Sequence, residues 1–452
     1  MIAAATIAIV VAILAGVGWY LDWAEQRDFA EALAETDRLD PGWRLEEMNA
    51  IRTAIPAERN AALQVLKVHD TLGPTVGINF KLEEQIGRLP CNVQLNAEQI
   101  TALKQYFEQR AKAQAEARAL KNLPNGRFPK TYDPQAPDSF LTALQRVRAV
   151  MHFLQLDMLL TAQEDDVDIA AVCRAGINGA RSIGEEPSVI GHLVRVACLE
   201  IALGGLERSL AQTTPRAAEL QALQELLQEE IDAPRLRQAM RGERAIGVET
   251  MEMLQDGRLP QWPYGAPKGS WRRWLPDWVP ASLTVNRANY VRAMNELVAA
   301  SNLPVEKQLD ETQRIVDRWQ RRDGLLSLSL PALSKYVAAH ARSHARLRCA
   351  VVALAAERHR AEQEFWPASV EALVKSGYLK TVPLDPFDAK PLRFQRLPDG
   401  VLVYSVGVDR VDNGGVVDRQ NPVAAGTDIG FRLWDPDQRR RPAPLPAPDK
   451  VD

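Results

Sequence analysis

Hydrophobic and polar positions follow three patterns along the chain. The first is a block: residues 2–21, IAAATIAIVVAILAGVGWYL, are apolar all round and carry no charge. As a helix, twenty residues rise about 30 Å, the thickness of a bilayer's hydrocarbon core. Trp19, Tyr20 and Trp23 stand at one end, as interfacial aromatics do. The second pattern, over most of the remaining length, repeats apolar residues every three to four positions, the spacing of one helix face. The third is confined to the C-terminal part, where LRFQRL and VLVYSVG alternate with the period of a strand.

Residues 24–122 read as helices with short breaks. Asp40-Pro41-Gly42 stops one helix and Pro56 opens the run AERNAALQVLKVHDTL. Asn96 caps a further run in which Ile100, Leu103, Tyr106 and Phe107 keep helical spacing, with Gln99 as the capping-box partner. The stretch 123–137, LPNGRFPKTYDPQAP, reads as a Pro-rich linker. From 138 to 256 the signal is helical throughout, with Asp138 and Pro187 at helix starts, and the short connections predict antiparallel neighbours. Leu154, Leu159, Val172, Ile177, Leu193 and Val196 are the expected buried positions. Ala171, Ala175, Gly176, Gly179 and Ala180 allow close helix approach. The layout resembles stacked, tetratricopeptide-type solenoids, without a repeat of fixed period. Such stacks bind other proteins or act as scaffolds.

Residues 257–282 break the pattern with Trp262, Trp271, Trp274, Trp278 and five prolines. They suit a loop packed on the helices, a partner surface or a segment resting on a membrane. Helices resume at 284–300 and 304–322, and Pro331 starts a long one. Pro367 starts a short helix bearing Val370, Leu373 and Val374, and Pro398, Asp399 and Gly400 turn between the two strands. The predicted fold is therefore mainly α: a transmembrane anchor at 1–23, a helical region and linker at 24–136, and an antiparallel, solenoid-like body at 137–330. A long helix with a small α+β module occupies 331–434, and a disordered tail 435–452.

Charge and composition narrow the function. The 452 residues carry a net charge of −3, so no basic field is available to collect nucleic acid. The anchor lacks the basic n-region of a cleaved signal peptide. Its flank is acidic (Asp22, Glu25, Asp28, Glu31 and Glu35 against Arg27), compatible with a single-pass protein of the cell membrane whose bulk is extracytoplasmic. Cys91, Cys173, Cys198 and Cys349 are far apart and form no CxxC pair, which predicts small core residues rather than a disulfide framework or zinc site. His340 and His344, one turn apart, have the spacing of a metal pair, but Arg342, Arg346 and Arg348 nearby point to a solvated basic face. His152 and His192 read as core or groove residues. Glu164, Asp165, Asp166 and Asp168 read as helix capping. No phosphate loop, nucleophile elbow or zinc-protease motif is present. The expected function is a non-enzymatic scaffold or interaction protein with envelope partners and no identified small-molecule substrate. The alternative is an extracytoplasmic enzyme with its site in a groove of the helical body.

One loop carries candidate chemistry. Residues 404–415, YSVGVDRVDNGG, end a strand in short oxygen-bearing side chains. They make either a solvated turn or a site for a hard cation such as calcium, which takes six to eight oxygens at ~2.3–2.6 Å. The Val406 carbonyl, Asp412, Asn413 and Asp418 are candidate ligands beside Asp409 and Asp428.

The order of residues here resembles the C-terminal part of the major pseudopilin of type II secretion systems. The matching positions are Trp366-Pro367, Leu373, Tyr378-Leu379, Pro383, Asp385-Pro386-Phe387, Tyr404-Ser405, Gly407, Asp409 and Asp428. The resemblance implies a small antiparallel sheet after a long helix, and a calcium loop with Asp409 and Asp428 as its carboxylates. The chain lacks the Gly-Phe-type processing site and the early helix Glu of a pseudopilin, so assembly into a pseudopilus is not implied. The whole layout is also similar to that of large membrane-anchored proteins typical of planctomycete bacteria. LDPGWRLEEM at 39–48, EEPSVIGHLVRVAC at 185–198 and the VPLDPFDAKPLRF…DNGG…DIGFRLW ending carry that likeness, which implies no particular activity.

Overall fold

The computed structural model describes residues 2–443 apart from 74–77, 130–132, 134–136, 166–167, 257, 259–285 and 322–325. The Trp- and Pro-rich stretch expected at 257–282 lies outside the described residues but for Arg258. The chain is mainly helical, with one small sheet.

The first helix, α1 (Ile2–Leu39), runs without a break from the apolar block into the body. Its second half is docked. Phe29 and Ala32 share a buried cluster with Trp43, Val248, Ala288 and Val291, and Arg292 donates to Asp28 at 2.7 Å. The helix ends where Asp40-Pro41-Gly42 predicts. Gly42 takes a φ of 73°, and Trp43 folds back so that its Nε1 donates to Asp37 at 2.8 Å. Then follow α2 (Leu45–Ile51), α3 (Ala61–Leu72), α4 (Phe80–Arg88), α5 (Ala97–Glu108) and α6 (Ala111–Arg118). The predicted capping box is formed: the Gln99 N–H donates to Asn96 at 2.8 Å and the Asn96 N–H to Gln99 at 3.0 Å. The linker is packed where it is described. Phe128 is buried, and a Cβ on Gly126 would overlap the Ser182 backbone at 2.2 Å.

In the body, α7 (Pro137–Thr161), α8 (Ile169–Arg181) and α9 (Val189–Leu210) all touch one another. Asp168 caps α8 and Ser188 caps α9. Next come α10 (Ala217–Asp232), α11 (Arg235–Gln255), α12 (Arg287–Ala300) and α13 (Val305–Gln320), and no strand occurs among the described residues of 138–256. The long helix α14 (Leu326–Gln363) inserts against α9, α10 and α13. This closure departs from a solenoid, where each repeat meets only its neighbours. The physical reason is α14 itself: every residue from Cys349 to Glu357 is buried, so the helix needs partners on all sides. It also begins five residues before Pro331, which sits inside it.

Three expectations need correction. His340 and His344 are buried on α14 and do not form a solvated face. Leu154, Val172 and Ile177 are buried as predicted, but Leu159 and Val196 are half-buried and Leu193 is exposed. On α9 the inward positions are taken by His192 and Arg195, which find polar partners inside. The tail is ordered through residue 443, and 444–452 lie outside the described residues. Arg439 is buried and donates to both oxygens of the buried Glu357 at 2.8 and 2.9 Å. Arg441 and the 92–94 segment then exchange two backbone bonds of 2.8 Å.

The C-terminal module follows the predicted order: α15 (Val370–Lys375), then β1 (Arg393–Leu397), β2 (Gly400–Ser405) and β3 (Ile429–Trp434). The sheet is antiparallel with β2 central, and Leu397 pairs with Gly400 across a two-residue turn. Gly400 has a φ of 153°, and any Cβ there would meet the Leu433 carbonyl at 2.0 Å. Val401, Val403, Phe431 and Leu433 belong to the same hydrophobic core as α7–α10. All four cysteines are free, and burial pushes the Cys173 and Cys198 thiols up to about 12. Among the described residues, the helix long and apolar enough to cross a membrane is α9, and it is a core helix, 56% buried.

The tail contact makes a test. Arg439→Leu leaves the buried Glu357 carboxylate to Arg360 alone, which donates to it at 2.6 Å, so the loss should approach but not exceed the about 3–5 kcal/mol of a buried pair broken from one side. Urea denaturation of the full chain should show a loss of that order, and the Arg439→Leu/Glu357→Leu double variant should recover part of it.

Candidate functional site

The loop between β2 and β3 is built on a buried carboxylate. Asp385, fully buried, accepts from Ser405 Oγ at 2.8 Å, the Val406 N–H at 2.9 Å and the Phe387 N–H at 3.0 Å. Arg393 donates to it at 2.8 Å. Burial pushes this carboxyl up, and the hydrogen bonds offset part of that rise. These contacts fix the end of β2, and Gly407, with a φ of 72°, turns the chain away.

The sequence-predicted ligands divide into three groups. Asp409 and Asp428 meet on Asn413, whose side chain donates to Asp409 and whose N–H donates to Asp428, both at 3.3 Å. Each carboxylate is otherwise supplied by backbone. Asp409 accepts from Val411 and Gly426, both at 3.1 Å, and Asp428 accepts from Gly415 at 2.7 Å. Backbone bonds from Val411 and Gly426 hold the exposed Asp409 carboxyl low. Burial pushes the Asp428 carboxyl up, against bonds from Gly415 and Asn413. Asp412 belongs to the sheet side, accepting from Tyr404 Oη at 3.1 Å and the Gly414 N–H at 3.0 Å. Asp418 caps its own turn through Gln420 at 2.8 Å and Asn421 at 3.0 Å. Val406 is buried, with its N–H committed to Asp385. Among the described residues no group of three or more His, Cys, Asp or Glu side chains is placed to hold a metal. Both oxygens of Asp409 and of Asp428 accept N–H groups, and each keeps a further lone pair, the kind of oxygen ligand that calcium takes. As they stand, the residues form a closed, hydrogen-bonded turn.

The same loop reaches the helical body. Arg419 donates to both oxygens of Glu207 on α9, at 2.5 and 3.0 Å, and Arg410 pairs with Asp310 on α13. Glu207 is fully buried and has two further donors: Arg346 of α14 at 2.8 Å and the Arg432 N–H of β3 at 2.7 Å. Arg346 also donates to the Gly430 carbonyl, with its guanidinium 5.1 Å from the Phe431 ring centre. Four donors on one carboxylate thus join two helices, the loop and the sheet. Burial alone would raise the Glu207 carboxyl, but Arg346 and Arg419 hold it down at about 2. Sequence reasoning missed Glu207. The available signal was a Glu-Arg pair following the apolar run IALGGL late in a 22-residue helix.

Two measurements follow. Because the Glu207 carboxyl is lowered from 4.5 to about 2, its contribution to stability is complete above about pH 4.5 and declines as pH falls toward 2. Urea midpoints across that window should fall less steeply for Glu207→Gln than for the unmodified chain. In the loop, Asp428→Ala leaves two N–H groups without their acceptor, at about 1–3 kcal/mol each. Melting of the full chain should drop for that variant and be equal in calcium and in chelator. A calcium-dependent rise that Asp409→Ala abolishes would instead establish a cation site. The chain matches no protein-family model, no curated protein and no solved structure.

Proposed function

We propose that the chain is a single-pass, membrane-anchored scaffold of the cell envelope, with its helical body and C-terminal module outside the cytoplasm and envelope proteins as partners. The observation that carries this reading is the contrast between the two halves of α1. In the first half, apolar side chains stand in the open: Ile9 is 60% exposed, Ile13 59% and Trp19 71%. In the second half, Phe29 and Ala32 are buried, and Glu25 and Asp28 pair with Arg287 and Arg292 of α12. Uncovered apolar side chains on an uncharged helix are stable in lipid and unfavourable in water.

An unbroken helix of 38 residues spans about 57 Å. The anchor would therefore enter the body without a flexible tether, holding it at a set height above the bilayer. The acidic flank supports an outward orientation. Continuity of the body core with the sheet supports a single rigid platform. The order of long helix, short helix and three antiparallel strands supports a pseudopilin-like module, here serving as part of that platform.

Extraction tests the anchor. The full chain should stay with membranes through salt and alkaline carbonate. Arginine near the centre of a spanning helix costs about 2.5–3.5 kcal/mol, so Ile9→Arg/Ile13→Arg should move a large share of the chain to the soluble fraction. Quantitative recovery of the unmodified, intact chain in the carbonate supernatant would overturn the reading.

A further inference from the structure

Along its length α14 changes partners. Leu330, Leu333, Tyr336 and Val337 share a hydrophobic cluster with α11, α12 and α13. Leu347 and the run from Cys349 to Ala356 belong instead to the main core, with α7–α10 and the sheet. The anchor helix sits on the first of these halves, because Phe29 and Ala32 of α1 pack with α11 and α12. Between the two clusters, one turn apart on α14, stand His340 and His344. A third histidine, His192 near the start of α9, completes the group.

The three rings form a row. The ring centres of His192 and His340 are 5.2 Å apart, and those of His340 and His344 are 4.3 Å apart. The residues are 8%, 4% and 8% exposed in that order. Nδ1 of His192 shares a hydrogen bond of 2.5 Å with Tyr336 Oη. Nδ1 of His340 and of His344 is buried and has no hydrogen-bond partner among the described residues. An imidazolium donates from both nitrogens. A proton on either of these Nδ1 atoms would thus be a buried N–H without an acceptor, and a second charged ring would stand directly against the first. The packing fits three neutral rings.

The charged groups around the row offer it no counter-ion. On α9, Arg195 is held by Glu230 of α10 at 2.5 Å. On α11, Arg235 lies 3.7 Å from Glu185 and Arg237 lies 3.8 Å from Asp40. On α14, Arg348 pairs with Glu306 of α13 at 2.5 Å. Glu243 of α11, on the Tyr336 side, is pushed up to about 7 by burial and loses its charge as the medium acidifies. Burial, and then the adjacent imidazole, holds His192 and His340 well below the ordinary histidine value. Burial with Arg348 holds His344 down at about 3.

We propose that this histidine row is an acid-released hinge between the anchor-bearing helices α11–α13 and the core that carries the sheet. Closed, the junction needs uncharged rings, and at neutral pH the body moves as one piece. Open, the rings meet water and take up protons near the ordinary value of about 6.5. Because each ring binds its proton in the open form alone, closure is at full strength above about pH 6.5. It weakens as pH falls below that value, by up to about tenfold per unit for each ring. Glu243 works in the opposite sense, between about 7 and its ordinary 4.5, and offsets roughly one of the three rings. His340 and His344 also line a cavity of about 180 Å³, and its exposed lining residues Arg237 and Leu303 lead from solvent to the row. The hinge is built from contacts inside the body and does not require α1 to enter a membrane.

Hydrogen–deuterium exchange of the full chain at pH 7.5 and 5.5, corrected for the pH dependence of the chemical step, tests the hinge without any substitution. Over that range each ring should favour opening by about tenfold. With Glu243 opposing, peptides covering 189–196 and 333–347 should exchange at least tenfold faster at pH 5.5, while α7 and α8 keep their protection. His344→Phe, an uncharged ring of similar shape, should cut the acceleration about tenfold. His69→Gln on α3, outside the row, should leave it unchanged. Three results would overturn the hinge. One is equal protection of 189–196 and 333–347 at both pH values. Another is acceleration spread evenly over α7 and α8, which is ordinary acid unfolding. The third is undiminished acceleration in a folded His344→Phe chain.

Discussion

A carboxylate taken fully out of water must be met by donors, and Glu207 is where that constraint shapes this molecule most. Its four donors come from α14, the β2–β3 loop and β3, segments 139 to 225 residues away in sequence. Buried ion pairs add little net stability compared with well-packed apolar groups, but a missing partner is severely destabilising. The pairing therefore acts on register. If α14 slid by one turn against α9, or the sheet docked one residue out, the charge would be left without its guanidiniums.

The same device recurs at the other joints. Asp157 of α7 takes Arg118 of α6 at 2.7 Å on each oxygen. Glu230 of α10 takes Arg195 of α9 at 2.5 and 2.6 Å, and Glu357 of α14 takes Arg439 beyond the sheet. Small-residue contacts let helices approach but do not fix which turn meets which. Gly205, whose missing Cβ makes room for the Met158 side chain, is such a contact. The buried charges supply that choice, and so a long, mostly apolar helix such as α14 can hold one alignment among several neighbours.

Much of this was legible in the sequence wherever a local rule decides the outcome. Asn96 with Gln99 and the Pro398–Gly400 turn act locally, and each is found as expected. What could not be read was which polar residues turn inward. Periodicity assigns every polar position on a helix to solvent, so His340, His344 and Arg195 were placed outside or left unassigned, and Leu193 was placed inside. The partners that reverse those assignments lie dozens to hundreds of residues away. The tail shows the same limit: DPDQRRRPAPLPAP has the composition of a disordered segment, yet Arg439 is held by the distant Glu357 and by the Trp434 and Thr213 carbonyls. Of the loop aspartates, Asp409 and Asp428 converge on Asn413, while Asp412 and Asp418 are engaged elsewhere. Composition could not say that backbone N–H groups would reach their oxygens.

The two most apolar helices show how far charge, rather than hydropathy, separates their environments. By length and hydropathy α9 passes as a membrane span. It nonetheless carries Arg195, Glu207 and Arg208, each buried, and each with partners on other elements: Glu230 for Arg195, Arg346 for Glu207, and the Leu89 and Val93 carbonyls for Arg208. A helix facing lipid has no such partners to offer, and ionisable residues are correspondingly rare there. Residues 2–21 of α1 carry none, Asp22 follows at once, and from Glu25 onward the acids pair with the arginines of α12. The step from uncharged to ion-paired along α1 thus coincides with the step from uncovered to buried. One continuous helix is uncharged and uncovered at one end and set in a charge-registered protein interior at the other.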